Sequence, residues 1–244
     1  MSGLKVIVLM RRLRARPDGA GATRLCGTCD EAALRAALAA RAASPGATVA
    51  VLAAGPAVSE DPVLRWALAA GADRAVRVDD SALLTVDYQG LGRALAGAAR
   101  SLGADLVLCG DRSEDEVQGA VGPAVAEALG IAHVTGAHDI KVAAGAATLT
   151  RREGGFVRTL RVKLPTLLGV TSQGGPALPA HDKQEQGKSI QALDLAAVGM
   201  SAAELKHRDR CLGKAHPVRV VRNATLVKDP DELVARLRED RLLG

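Results

Sequence analysis

The chain has 244 residues, of which 48% are apolar and 24% are charged. This composition is typical of a globular protein and excludes a disordered or fibrous chain. The formal charge is +5, but the basic residues are interleaved with Asp and Glu along the whole chain, so no basic stripe indicates a nucleic-acid partner. The only aromatic residues are Trp66, Tyr88 and Phe156. Three scattered rings exclude the stacking platform on which binding of single-stranded nucleic acid normally depends.

The longest apolar runs are far shorter than the roughly 20 residues that cross a bilayer, so we expect no membrane insertion. Four cysteines are too few for a disulfide scaffold. The first residues enter an apolar run of strand length and show no cleavage site of a signal peptide. We therefore expect a cytoplasmic protein.

Residues 4–135 repeat one pattern, in which a short run rich in β-branched residues precedes a helical stretch. The predicted strands are Leu4–Met10, Thr48–Ala53, Arg74–Val78, Asp105–Cys109 and Ile131–Thr135. The predicted helices are Asp30–Ala43, Asp61–Ala70, Gln89–Leu102 and Glu116–Leu129. Strands that alternate with helices at this spacing indicate an α/β fold with a doubly wound, mostly parallel sheet.

Several residues are typical of helix ends. Thr28 and Glu31 are spaced as a capping box, and Asp61 before Pro62 is spaced as an N-cap before a first-turn proline. Gly103 and Gly130 stand where helices end. These signals predict the bounds of the helices.

After residue 135 the pattern changes to strands without intervening helices. The predicted strands are Asp139–Ala143, Ala147–Arg152, Phe156–Lys163 and Leu167–Thr171. Gly154-Gly155 predicts a hairpin between the middle two. We expect an antiparallel hairpin extension of the sheet.

Residues 173–188 are rich in Gly, Pro and polar groups and predict an exposed arm, and residues 195–205 predict a short helix. Asp229 followed by Pro230 predicts a last helix through Arg241. We expect an α/β nucleotide-binding domain with its hairpin over residues 1–172. Residues 173–244 would hold a docking loop, an arm and a C-terminal helix.

Two known phosphate-binding motifs are incomplete in this sequence. Gly187-Lys188-Ser189 lacks the preceding glycine and strand of a P-loop, and no strand is followed by the glycine triplet of a dinucleotide fingerprint. The histidines show no spacing typical of a metal site, so none is predicted. Cys26-Gly27-Thr28-Cys29 stands before a helix N-terminus, where a redox-active dithiol and an unreactive pair are both open interpretations.

The segment from Asp105 to Ala126 is the most informative. An apolar strand ends at Cys109-Gly110, a polar stretch containing Ser113 follows, and a helix then opens. In an open α/β sheet, ligands bind outside the carboxyl ends of the strands, where helix N-termini direct N–H groups at anions. This segment is therefore a candidate phosphate cradle, and an acidic loop that only caps the helix is the alternative.

Several blocks of the chain resemble the β (small) subunit family of electron-transfer flavoproteins, including its nitrogen-fixation-associated branch. The matching blocks are KVIVLMRR at 5–12, DEAAL at 30–34, GP at 55–56 with AAGADRA at 69–75, DLVLCG at 105–110 with Asp115 and VGP at 121–123, and RREGG at 151–155 with LP at 164–165.

The resemblance implies a β-like subunit of a heterodimer whose α-like subunit holds most of the FAD site. The β-like subunit would shape that site and carry AMP or a second FAD in its own crevice. It would act as an electron carrier without covalent chemistry of its own, between a flavin dehydrogenase and a quinone or ferredoxin-linked acceptor. The fold implied is Rossmann-type, like that of the adenine nucleotide hydrolases.

Carried over by position, the resemblance assigns the nucleotide crevice and a docking anchor. The crevice residues are Leu9, Gly27, Thr28, Cys29, Asp30, Ala54, Gly110, Asp111, Arg112, Ser113, Asp115, Gln118, Gly119, Ala120 and Val121. The anchor for dehydrogenases would be Leu178 with Pro179. A stand-alone adenine-nucleotide-binding module of the universal-stress type remains an alternative, because the same crevice would serve it.

Overall fold

The computed structural model describes residues 3–13, 24–115, 118–172, 188–205 and 226–243. The chain divides into two compact units, Met1–Asp209 and Arg210–Gly244. The described part of the second unit contains helix α5 (Pro230–Glu239), whose N-cap Asp229 accepts a hydrogen bond from the backbone N–H of Glu232. The expected start of this helix is thereby confirmed.

The first unit is built on a nine-stranded mixed sheet. The strands are β1 (Lys5–Leu9), β2 (Thr48–Ala54), β3 (Arg74–Val78), β4 (Leu106–Gly110), β5 (Ala132–Ala143), β6 (Ala146–Glu153), β7 (Phe156–Lys163), β8 (Thr166–Val170) and β9 (Ile190–Leu193). Their order is β7-β6-β5-β8-β4-β1-β2-β3-β9. In the spatial order β5-β8-β4-β1-β2-β3-β9, each strand pairs in parallel with the next. Strand β6 pairs antiparallel with both β5 and β7. The predicted α/β class and mostly parallel sheet are confirmed.

Helices cover both faces of the sheet. They are α1 (Thr28–Ala43), α2 (Ala57–Ala69), α3 (Tyr88–Leu102) and α4 (Val121–Leu129). One buried cluster joins α1 and α2 to side chains such as Val8, and the opposite cluster joins α3 and α4 to side chains such as Ile7. Because β1 is covered on both faces, its sequence is a continuous apolar run rather than an alternating one.

The hairpin extension forms as predicted. Glu153 pairs with Phe156 across a two-residue turn of Gly154 and Gly155, both of which have positive φ. That conformation favours glycine at both positions. The predicted strands Ile131–Thr135 and Asp139–Ala143 form one long strand, β5, with an irregular register in its middle.

The predicted helix starts were wrong at three places, one of which is α4, where the helix begins at Val121 instead of Glu116. The N-cap of α1 is Gly27, and Glu31 pairs with Arg24 and Arg35 instead of closing a capping box on Thr28. Helix α2 begins at Ala57, so Pro62 lies inside it. Asp61 forms an ion pair with Arg77 there. In α2 a partner 16 residues away takes the side chain that local spacing assigned to a cap, and in α1 two arginines close in sequence take it.

Two elements after residue 165 also differ from expectation. Strand β8 inserts between β4 and β5 and runs parallel to both, whereas an antiparallel strand was predicted. Residues 195–205 form two short 3₁₀ helices, Ala196–Val198 and Ala202–Leu205, instead of one helix.

Candidate functional site

A cavity of about 590 Å³ opens at the carboxyl ends of β1, β2 and β4. The strand order reverses beside β1, which has β4 on one side and β2 on the other. This is the topological switch point where open α/β sheets bind their ligands. Residues from β1, α1, β2, the β4–α4 loop and α3 line the cavity.

The structure brings most of the predicted crevice residues together. Those that line the cavity are Leu9, Asp30, Ala54, Gly110, Arg112, Ser113, Gln118, Gly119, Ala120 and Val121. Those outside its lining are Gly27, Thr28, Cys29, Asp111 and Asp115. The proposed docking anchor, Leu178 with Pro179, lies outside the described residues.

One wall of the cavity was missed by the sequence analysis. The 3₁₀ helix Ser81–Leu84 and the start of α3 supply Leu83, Leu84, Thr85, Val86, Asp87, Tyr88, Leu91 and Leu95. Arg11, Arg12, Ser59 and Glu60 also line the cavity. The apolar residues of this wall have the spacing of ordinary core positions, so periodicity alone does not distinguish them. Tyr88, the only tyrosine of the chain, is among them.

Asp30 is held where β4 ends. Its Oδ1 accepts a hydrogen bond from the Gly110 N–H at 3.2 Å. A Cβ on Gly110 would stand 2.3 Å from that oxygen, so only glycine permits this approach. Burial raises the pKa of Asp30 to about 7, although the Gly110 N–H and Arg11 act in the opposite direction. Burial therefore favours the neutral acid of this carboxyl group more than in an exposed aspartate.

Ion pairs and hydrogen bonds fix the segment after β1. Arg11 pairs with Asp115 of the β4–α4 loop at 2.5 Å. The buried carboxylate of Glu60 accepts hydrogen bonds from the Arg12 backbone N–H at 3.2 Å and from the Ser59 hydroxyl at 2.6 Å. The carboxyl end of β1 is thus tied to both neighbouring walls of the cavity.

The helix N-termini around the cavity differ in how they are capped. Glu114 accepts a hydrogen bond from the Thr28 N–H of α1 at 2.7 Å, and Asp87 accepts one from the Gly90 N–H of α3 at 2.8 Å. The N-cap of α4 is Ala120, which provides no side-chain cap. The first N–H groups of a helix have no partner within it, so α4 presents its donors to the cavity through Val121 and Gly122.

Arg112 adds a cation to the same side of the cavity. Its side chain is exposed, and none of the ion pairs among the described residues involves it. The lining supplied by α3 and the preceding 3₁₀ helix is apolar at Leu83, Leu91 and Leu95. The cavity therefore combines groups suited to an anion with groups suited to an apolar ring.

Replacing Glu114 with Gln is expected to destabilise the protein at neutral pH and to have less effect in acid. The hydrogen bonds from Thr28 lower the pKa of Glu114. Its stabilising contribution is therefore complete above the pKa of the unfolded chain and is lost as the pH falls through the lower folded value. Urea midpoints of both proteins at pH 7 and about pH 3 measure this. Equal differences at the two pH values would show that the charge of Glu114 plays no part.

The cysteines of the Cys26-x-x-Cys29 pair are buried and free. Burial, together with the nearby carboxylates of Asp30 and Glu31, raises the pKa of Cys26 to about 12. Burial also raises the pKa of Cys109, which lies behind Gly122. A reactive dithiol needs a lowered pKa and access to solvent. The structure favours the interpretation of an unreactive pair.

Cys26 is expected to resist alkylation in the native protein. A pKa of about 12 leaves roughly one three-thousandth of the thiolate that an ordinary cysteine with a pKa of about 8.5 presents at neutral pH. Iodoacetamide labelling followed by peptide mapping, with and without denaturant, measures the rate at this residue. Rapid labelling of Cys26 in the folded chain would restore the dithiol interpretation.

The part of the chain that the structure describes contains neither a metal-binding cluster nor a membrane-spanning helix. No group of three or more His, Cys, Asp or Glu side chains there is placed to hold a metal ion. No helix of the described part of the chain is long and apolar enough to cross a membrane.

The fold and the position of the cavity define a class: a doubly wound α/β protein with a candidate ligand site at its switch point. Comparison with known proteins makes this more specific. The family model for the electron transfer flavoprotein domain matches residues 27–198 of the sequence, which are well over half of the chain. The chain therefore belongs to the electron transfer flavoprotein family, among relatives named as its β subunits.

Three relatives illustrate this similarity. The electron transfer flavoprotein subunit beta of Megasphaera elsdenii is 34% identical over 197 residues, which cover 76% of this chain and 72% of the relative. The subunit of the same name from Mycobacterium bovis is 33% identical over 162 residues, covering 65% of this chain and 60% of the relative. Protein FixA of Azorhizobium caulinodans is 35% identical over 172 residues, covering 67% and 58% respectively.

Proposed function

We propose that this chain is the β-like subunit of an electron transfer flavoprotein heterodimer. It would shape the site of an FAD held mainly by an α-like subunit and pass electrons between a dehydrogenase and a downstream acceptor in the cytoplasm. Family membership supports this assignment. The observation that carries it is the cavity at the switch point, which both the N-terminus of α4 without a side-chain cap and apolar side chains of α3 line.

The residues of the cavity fit an adenine nucleotide. Its volume of about 590 Å³ lies within the range of ligand pockets, which is roughly 300 to 1,000 Å³. The first turn of α4 and Arg112 would receive the phosphate. Leu83, Leu91 and Leu95 would contact the adenine ring. AMP and the adenylate half of FAD share this chemistry, so the same residues suit either ligand.

In this proposal FAD supplies the electron-accepting group, and the chain holds and orients without a covalent step of its own. The Arg11–Asp115 ion pair would keep the segment after β1 against the β4–α4 loop. The hydrogen bonds of Glu60 to Arg12 and Ser59 would hold the other side of that segment. Both contacts would limit movement of the cavity wall and exclude water from the bound nucleotide.

We extend the proposal to partners. Leu178 with Pro179 would dock a flavin dehydrogenase, and a quinone or ferredoxin-linked protein would accept the electrons. A single apolar side chain that enters a pocket fits the way in which a few residues dominate the energy of an interface. Loss of dehydrogenase-driven flavin reduction in a Leu178→Ala variant, with the flavin content unchanged, is the expected result.

Coexpression with an electron transfer flavoprotein α subunit of the same organism tests the central assignment. We expect one complex on size exclusion, with flavin absorbance at the elution position of the heterodimer. A colourless heterodimer, or no association, contradicts the proposal. If AMP raises the melting temperature of the isolated chain while no large subunit binds it, the chain is a stand-alone nucleotide-binding module instead.

A further inference from the structure

Asp30 is a carboxyl group built into the wall of the cavity. It lies in the first turn of α1, lines the cavity and is partly buried. The hydrogen bond from the Gly110 N–H at 3.2 Å fixes its Oδ1 at the end of β4. Gly110 also lines the cavity, so a ligand that contacts the end of β4 meets this carboxyl group.

The charged groups that act on Asp30 lie at the end of β1 and in the β4–α4 loop. Arg11 at the end of β1 favours the carboxylate, but it is paired with Asp115. The β4–α4 loop contributes two negative groups, Glu114 and Asp115, and both oppose the carboxylate. Cys29 and Glu31 flank Asp30 in the sequence, and Asp111 follows Gly110. The buried thiols Cys26 and Cys109 have raised pKa values that keep them neutral. The surroundings of Asp30 are therefore already rich in negative charge before a ligand enters.

A nucleotide phosphate would add further negative charge to this cavity. Like charges in a partly buried site disfavour ionisation, so the phosphate would shift Asp30 toward the neutral acid. The neutral acid has one O–H donor, while its other oxygen still accepts a hydrogen bond. Asp30 could thus donate to the ligand and keep its bond from Gly110. The carboxylate could only accept, and it would repel the phosphate.

We propose that Asp30 binds the nucleotide as the neutral acid, so that nucleotide binding takes up a proton from solvent. Asp30 is then a specificity-determining residue, because it limits tight binding to the pH range in which the acid forms. This inference rests on the proposed nucleotide site. It adds to that proposal a role for a cavity carboxyl group that burial and two neighbouring carboxylates shift toward the neutral acid.

Titration of the full chain with AMP at pH 7 and pH 9 tests the inference. The second pKa of a phosphate monoester is about 6, so the charge of AMP is constant over this range. The pKa of Asp30 without ligand is about 7. If the phosphate raises that pKa by one unit or more, the affinity for AMP is about fivefold or more lower at pH 9 than at pH 7. Calorimetry at pH 7 in buffers of different ionisation enthalpy should show uptake of roughly half a proton per AMP bound.

Two variants provide the controls. Asp30→Asn is neutral at every pH and retains an oxygen that accepts from Gly110. We expect its Kd for AMP to be nearly the same at pH 7 and pH 9, with no proton uptake. Glu114→Gln removes another carboxylate from the same neighbourhood. Since the pKa of Glu114 is lowered, it stays ionised over this range, and its replacement should leave the pH dependence in place.

The possible results separate the two proposals. AMP that binds equally at pH 7 and pH 9 without proton uptake overturns the inference and leaves the proposed function standing. A pH dependence that persists in Asp30→Asn also overturns it, because the titrating group is then another residue. AMP that binds at neither pH contradicts the inference and the proposed nucleotide site, while the flavin content of the heterodimer tests the subunit assignment separately.

Discussion

Replacement of Gly110 with Ala is expected to weaken nucleotide binding at least about tenfold. The new methyl group would lie 2.3 Å from Asp30 Oδ1, 3.0 Å from the Asp30 backbone nitrogen and 3.1 Å from Cys29 Cβ. The side chain could turn away, but the backbone of α1 must also move, and overpacking of this kind costs about 1 to 3 kcal/mol of stability. The shift separates α1 from the end of β4, where the cavity opens. Titration with AMP measures the effect.

Gly27→Ala is the matched control for Gly110→Ala. Gly27 is the residue immediately before α1 and lies three positions before Asp30. A Cβ on Gly27 would be 3.8 Å from the nearest atom, Cγ of Glu114. Its φ of −68° suits any residue. We expect AMP binding close to that of the unmodified chain. Equal loss of affinity in the two variants would mean that the contact between Gly110 and Asp30 does not shape the site.

Replacement of Leu167 with Ala is expected to destabilise the first unit by about 2 to 5 kcal/mol. Leu167 is fully buried in β8, and it packs in the cluster that α3 and α4 form with the sheet. Truncation leaves a cavity that the central strand cannot close, because β8 is held on both sides by β4 and β5. The midpoint of urea unfolding, followed by circular dichroism, measures the loss.

Val58→Ala serves as the comparison for Leu167→Ala. Val58 lies in the first turn of α2 and is 82% exposed. Because little apolar surface is lost there and Ala is a good helix former, we expect a change of less than about 0.5 kcal/mol. A midpoint in Leu167→Ala as high as that in Val58→Ala would contradict the central position of β8.

The central strands could be predicted because burial on both faces leaves a mark in the local sequence. The apolar run of β1 and that of β4 each lie within a residue or two of the predicted bounds. Strand β9 could not be predicted in this way. It has four residues, mostly exposed, and its place at the edge of the sheet depends on pairing with β3 more than 100 residues earlier.

The predicted helix starts were wrong because the partners of the capping side chains depend on the tertiary fold. Local spacing identifies which residues are able to cap a helix, but a partner elsewhere in the fold can take the same side chain. Asp61 pairs with Arg77 across the packed α2 and β3, and Glu114 caps α1 from a different loop. Neither contact has a signal within a window of a few residues.

The candidate site was predictable where strands end and unpredictable where a helix packs over it. Leu9, Ala54 and Gly110 follow from the rule that ligands bind at the carboxyl ends of strands. The wall that contains Leu91 and Tyr88 required the tertiary arrangement of α3. The scarcity of aromatic residues excluded a stacking platform, yet one of the three rings lies in this cavity.

The central claim is that the cavity of this chain holds an adenine nucleotide within a flavin-containing heterodimer. Denaturation of the purified complex, followed by identification and quantification of the released nucleotides by mass spectrometry, tests it most directly. We predict one FAD from the α-like subunit together with either one AMP or a second FAD. The Gly110→Ala complex should retain the first FAD and lose the other nucleotide. Release of a single FAD and no other nucleotide from the unmodified complex, or an unchanged nucleotide content in Gly110→Ala, would contradict the assignment.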